Sequence, residues 1–72
     1  MEKREYYAWL SNDQGAWLDV ALHTNNKNEL KRDVRSRYGE GWEVHIMAVD
    51  LDADGQNVMS APYEVEKFRL RK

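Results

Sequence analysis

The clearest alternation of apolar and polar positions runs from Gly41 to Val49. Trp42, Val44, Ile46 and Ala48 fall on one face, and Glu43, His45, Met47 and Val49 on the other. A period of two is that of a β-strand, and both faces turning apolar toward its end marks a central one. Ala16 to His23 alternates too, with Leu18, Val20 and Leu22 opposite Trp17, Asp19 and His23. Upstream, Glu5 to Ser11 is rich in the aromatics that strands favour, and Asn12-Asp-Gln-Gly15 between them is a turn signal. The two segments predict a hairpin whose register stays open. A loop of two or four residues places Trp9 beside Leu18 and Tyr7 beside Val20 in the core, with Tyr6, Leu10 and Trp17 outside. A loop of three or five buries Tyr6, Ala8 and Leu10 and leaves Tyr7, Trp9 and Trp17 outside, because a one-residue slip exchanges the faces. In either register Trp17 sits in an aromatic group on the non-core face.

The period then changes. Asn26 is a helix N-cap, and Glu29 three residues on completes an Asn version of the capping box. The helix is predicted over Lys27 to about Tyr38, with Gly39 supplying the left-handed residue that ends it. Leu30, Val34 and Tyr38 form a narrow stripe that packs one side against a sheet, and Lys27, Lys31 and Arg35 line another row. After the central strand, Asp50 to Gln56 is a polar loop with an Asp54-Gly55 turn. Val58 to Ala61 predicts a short fifth strand, Pro62 interrupts the pairing, and Tyr63 to Arg71 forms the last strand. Its parity slips between Val65 and Phe68, which predicts a bulge near Glu66-Lys67. The expected fold is α+β: a single domain over 1–72 with one antiparallel sheet of four or five strands. One helix lies across one face, in the order β-β-α-β-β.

Composition changes the picture in three ways. A chain of 72 residues hides only roughly 60% of the surface its unfolded form exposes, so the core is thin. The absence of cysteine removes both disulfides and thiolate-zinc sites as staples and fits a reducing compartment. No apolar run approaches the roughly 20 residues of a membrane span. The charged Met1 to Glu5 lacks the apolar stretch of a signal peptide, so a cytoplasmic location is expected. The net charge of −2 hides an uneven layout. Lys27 to Arg37 is mostly basic, Gly39 to Tyr63 carries five acids and no base, and Lys67 to Lys72 is basic again.

Candidate chemistry is sparse. Asp50-x-Asp52-x-Asp54-Gly55 matches the first half of an EF-hand loop, but Ala61 stands where a bidentate Glu is required and the flanks read as strands. His23 and His45 without cysteine are thin grounds for a metal. Ser11, Ser36, Ser60 and Thr24 have no nucleophile context, and the four glycines form no phosphate loop. No catalytic residue, metal or cofactor is expected, and the chain reads as a non-enzyme. Two surfaces remain. The aromatic face, with Trp17 and either Tyr6 or Trp9, suits a protein contact, where Trp, Tyr and Arg dominate. The bases Lys27, Lys31, Arg32, Arg35, Arg69 and Arg71 suit phosphates or an acidic protein.

Tyr38-Gly-Glu-Gly-Trp-Glu-Val44 and Phe68-Arg-Leu-Arg-Lys72 resemble, over about residues 26–72, a group of short uncharacterised bacterial and phage domains. In these a helix ends in Gly, a Gly-Trp-Glu strand follows and the last strand finishes in bases. The resemblance implies an α+β fold and no particular activity. In size and make-up the chain is similar to small phage-encoded defence inhibitors of anti-CRISPR type, which act by occupying a partner's surface. The expected function is therefore a protein-binding domain, an inhibitor or accessory protein of a phage or mobile element. The alternative is a nucleic-acid-binding module using helix 27–38 and the C-terminal bases. Homodimerisation through the uncovered face or the Tyr63–Arg71 edge is a further option that a thin core gains from.

Overall fold

The computed structural model describes residues 3–71. Met1, Glu2 and Lys72, the last a member of the basic C-terminal run, lie outside the described residues. Lys3–Ser11 forms β1, Trp17–Asp19 β2, Lys27–Arg37 α1, Glu43–Leu51 β3 and Tyr63–Arg69 β4. All four strands join in one antiparallel sheet of order β2-β1-β3-β4, so the α+β class and the chain order agree with the sequence pattern.

The two central strands pair from Lys3↔Leu51 to Ser11↔Glu43 without interruption. Their period of two sorts the side chains. Ala8, Leu10, Val44 and Ile46 are buried in one cluster, to which α1 adds Leu30 and Val34 and the flanking chain adds Val20 and Leu70. Leu30 and Val34 lie one helical turn apart and are both fully covered. Fully burying a side chain of this kind stabilises by roughly 1.5–3 kcal/mol, so this small cluster carries much of the fold.

The hairpin adopts the second of its two registers. Leu10 pairs with Leu18 and Ser11 with Trp17, and Asn12 N–H donates to the Ala16 carbonyl at 3.1 Å, which leaves a three-residue loop. Gly15 closes it at φ 84°, the left-handed position that three-residue hairpins fill with glycine. The Asn12 side chain fastens the turn, its Oδ1 accepting from Gln14 N and Ala16 N, each at 3.0 Å. Tyr6 consequently packs against the core cluster and is corrected from a surface aromatic to a supporting one.

The second hairpin strand is shorter than its alternation predicts. Val20 N–H still donates to Ala8 O at 3.0 Å, but the next exchange is between Tyr6 and Thr24. Two extra residues have entered this side of the ladder, so it bulges outward after Val20. Leu18, expected in the core, is 40% exposed on this short edge.

Four other expectations shift. Asn26 Oδ1 caps α1 by accepting from Asn28 N at 3.0 Å and Glu29 N at 3.2 Å. Its own N–H donates to Thr24 Oγ1, so threonine takes the role the capping box gives to Glu29. The left-handed glycine after the helix is Gly41, at φ 97°, and not Gly39; Tyr38 ends the helix in an extended conformation. The bulge in β4 falls at Val65, because Ile46 pairs with Glu66 while Met47 pairs with Glu64. That offset lets both Val65 and Phe68 pack against the core. Val58 makes only a single bridge to Leu51, and the sheet has four strands.

Candidate docking face

The register that buries Ala8 and Leu10 turns Tyr7, Trp9 and Ser11 of β1 to the opposite face. Trp17 and Asp19 of β2 and Glu43, His45 and Met47 of β3 lie beside them. Glu64, Lys67 and Arg69 of β4 extend the face. Trp17 is 60% exposed and Trp9 37%. Together with Leu18 and Asp19 they line a shallow groove along the β2 edge.

Trp17 is exposed but not loose. Its indole stacks on the His45 imidazole, with centroids 5.1 Å apart and planes 28° from parallel. The imidazole is held in turn from both nitrogens. Glu64 Oε1 lies 3.1 Å from Nδ1 and Ser11 Oγ lies 2.8 Å from Nε2. With Nδ1–H donating to the carboxylate, Nε2 of the neutral ring accepts from the Ser11 hydroxyl. Glu43 Oε1 stands 3.6 Å from the same Nε2. A second stack continues the row. Tyr7 meets Trp9 edge-on at 5.8 Å and lies over His23 at 5.4 Å, whose Nδ1 is 2.8 Å from Glu5 Oε1. Such aromatic pairs contribute about 0.5–1.5 kcal/mol beyond the area they cover. The two histidines therefore have separate carboxylate partners and separate aromatic lids.

The order Ser11–His45–Glu64 is that of a nucleophile relay, and sequence reasoning missed it. Ser11 and His45 are 34 residues apart, on strands whose relative register no local motif reveals. The relay also requires free donors for a developing oxyanion. Ser11 sits on a central strand, paired with Trp17 on one side and Glu43 on the other, so the adjoining N–H groups belong to the ladders. The contacts of Ser11 and Glu64 with its two nitrogens orient the ring beneath Trp17.

The basic residues do not assemble into one surface. Lys27 and Lys31 both pair with Glu66 across the gap between α1 and β4, Lys27 at 3.2 Å. The Glu66 carboxyl is held below the usual range, chiefly by Lys31 and secondarily by Lys27, with partial burial opposing. Lys31 and Arg35 lie over the Phe68 ring at 5.3 and 5.0 Å, contacts that carry a modest cation–π attraction. Arg37 pairs with Asp33 at 2.9 Å. Arg69 alternates with Phe68 along β4, so it projects on the aromatic face, where it stands 3.6 Å from Asp13. Arg32 borders a different shallow groove with Leu22, Glu29, Asp33 and Ser36, and Arg71 is exposed beyond β4.

The three loop aspartates also part company. Asp50 accepts from the Tyr63 hydroxyl at 2.7 Å and from Arg4 Nε at 3.2 Å. Asp52 turns inward on its own loop, accepting from Gln56 N at 3.0 Å and Asn57 Nδ2 at 2.6 Å. Asp54 is exposed. Among the described residues no group of three or more His, Cys, Asp or Glu side chains is placed to hold one metal ion. No helix among the described residues is long and apolar enough to cross a membrane. Comparison with protein-family models, curated proteins and solved structures finds no significant match.

Proposed function

We propose that this chain is a non-enzymatic protein-binding domain that acts by occupying a partner's surface through the aromatic face around Trp17. The observation that carries the reading is an indole 60% exposed yet pinned by a stack. Interface hot spots are enriched in Trp because a large ring held in one orientation loses little entropy on binding. The rival nucleic-acid reading loses its footing in Glu66, which occupies Lys27 and Lys31, and in the separation of Arg69 from the helix. An inhibitor or accessory protein of a phage or mobile element, working in the cytoplasm, fits the small size and the lack of cysteine. The test is capture from bacterial lysate with the tagged chain, in parallel with Trp17→Ala and Lys31→Glu/Arg35→Glu variants, with and without nuclease. A stoichiometric protein that survives nuclease and is lost with Trp17→Ala supports the reading. Capture that depends on nucleic acid and on Lys31 and Arg35 refutes it.

A further inference from the structure

The groove at the β2 edge has an electrostatic character that narrows its partner. Asp19 lines it beside the two indoles, is exposed and has no ion pair among the described residues. Glu43 and Glu64 flank the imidazole that Trp17 covers. Against these three carboxylates stand Lys67, opposite His45 in the ladder, and an Arg69 already facing Asp13. The face is thus aromatic and net acidic. A phosphate backbone is repelled there, and two copies of this face laid together bring like charges into contact.

Resting on the docking reading above, we propose that the groove receives an arginine of a basic, extended segment of the partner protein. The guanidinium stacks on Trp17 and pairs with Asp19. Three features select arginine. A planar guanidinium is weakly hydrated and lies flat on an indole while donating in its own plane. Trp17 presents an open ring face because His45 occupies the other. β2 has β1 as its only neighbour in the sheet, so its outer edge offers backbone groups to an extended chain beside the groove.

The probe is a seven-residue peptide of alternating glycine and arginine, compared with versions in which every arginine is replaced by neutral citrulline or by lysine. Binding to the intact chain is followed by the NMR shifts of the indole N–H groups. Saturable shifts at Trp9 and Trp17, with Trp42 unmoved, are expected. Binding should be at least about tenfold weaker for the citrulline peptide, and severalfold weaker both for the lysine peptide and for the Asp19→Asn protein. Equal affinity for arginine and citrulline peptides, no effect of Asp19→Asn, equal binding of the lysine peptide, or no saturable shift overturns the inference. If the peptide fails while Trp17→Ala still abolishes capture of the cellular partner, only the arginine assignment falls. If Trp17→Ala leaves capture intact, the docking reading falls whatever the peptide does.

Discussion

Replacing Trp17 by alanine separates a docking residue from a structural one, because the two roles differ in which quantity moves. Trp17 is 60% exposed, so about two-fifths of a side chain of roughly 250 Å² is covered, about 100 Å². At about 25 cal/mol per Å² this area accounts for at most about 2.5 kcal/mol, since unfolded chains already cover part of it. The stack on His45 adds about 0.5–1.5 kcal/mol, which sets an upper bound near about 4 kcal/mol on the stability lost. A chain of this length has a total stability of about 4–11 kcal/mol, so over most of that range the variant stays folded at 25 °C, with a melting temperature lower by at most about 16–32 °C. Leu30→Ala gives the opposite profile. Leu30 is fully buried away from the aromatic face, and truncation costs about 2–5 kcal/mol, leaving the affinity of the folded fraction unchanged. If Trp17 is a hot spot, its truncation weakens partner binding by at least about 2 kcal/mol, roughly thirtyfold. Thermal melts followed by circular dichroism, paired with titration of the captured partner, read both quantities. The reasoning fails if Trp17→Ala loses more than about 4 kcal/mol of stability, or if its affinity stays within about threefold of the parent.

Acid should destabilise the fold through three carboxyls held below their usual range. Asp50 is lowered first by the Tyr63 hydroxyl and then by Arg4, Asp52 first by the Gln56 N–H and then by Asn57, and Glu66 first by Lys31. A depressed value in the folded state means that the unfolded chain binds protons first. The stabilisation is therefore complete above about pH 4–4.5 and is lost as pH falls through the folded values. Melting temperatures from pH 7 to 2 should show this limb, and Asp52→Asn or Glu66→Gln should flatten it; a limb of unchanged steepness in both variants contradicts the assignment. The two glycines after α1 should differ although neither has an atom within 4 Å of an added Cβ. Gly41→Ala, at φ 97°, loses about 1–2 kcal/mol in chemical denaturation, and Gly39→Ala changes stability by less than about 0.5 kcal/mol; equal losses refute the distinction. Glu66→Gln frees Lys27 and Lys31, so affinity for duplex DNA should rise and its logarithmic salt slope should steepen toward about two further phosphate contacts. An unchanged slope means that Glu66 does not restrain those lysines.

Element types were legible because each rests on local signals. The alternation of residues 41–49, the Asn26 cap and the Leu30/Val34 spacing name strand, cap and buried stripe without any tertiary knowledge. What was not legible depends on counting residues through a turn. Asn12-Asp-Gln-Gly15 announces a turn but not its length, and only the Asn12–Ala16 hydrogen bond decides that Tyr6 goes inward and Trp9 outward. The two glycines beyond α1 pose the same difficulty. Either can end a helix, and the choice of Gly41 follows from where the chain must turn to bring Trp42 against the core. The β4 bulge was expected from the parity of Val65 and Phe68, and its exact residue is set by which offset keeps both in contact with the buried cluster.

The candidate site was half legible for a related reason. The alternation along Ala16 to His23 marks Trp17 as an outward aromatic in both hairpin registers, but its support comes from three other segments. Ser11, His45 and Glu64 belong to β1, β3 and β4 and meet only through strand order and register. The basic helix misleads in the opposite direction. Its row Lys27, Lys31, Arg35 is what a phosphate-binding face looks like in one dimension, and nothing within the helix reveals that Glu66 and Phe68 lie opposite it. The same bulge that turns Val65 toward the core sets Glu66 opposite Ile46, on the side where the two lysines reach it. One irregularity in an edge strand thus engages two of the helix lysines, Lys27 and Lys31, while the face beyond keeps its carboxylates beside open indoles. The asymmetry of this small sheet follows from that division: Lys27 and Lys31 are paired with Glu66 on the side where α1 packs, and the other face carries exposed indoles beside carboxylates.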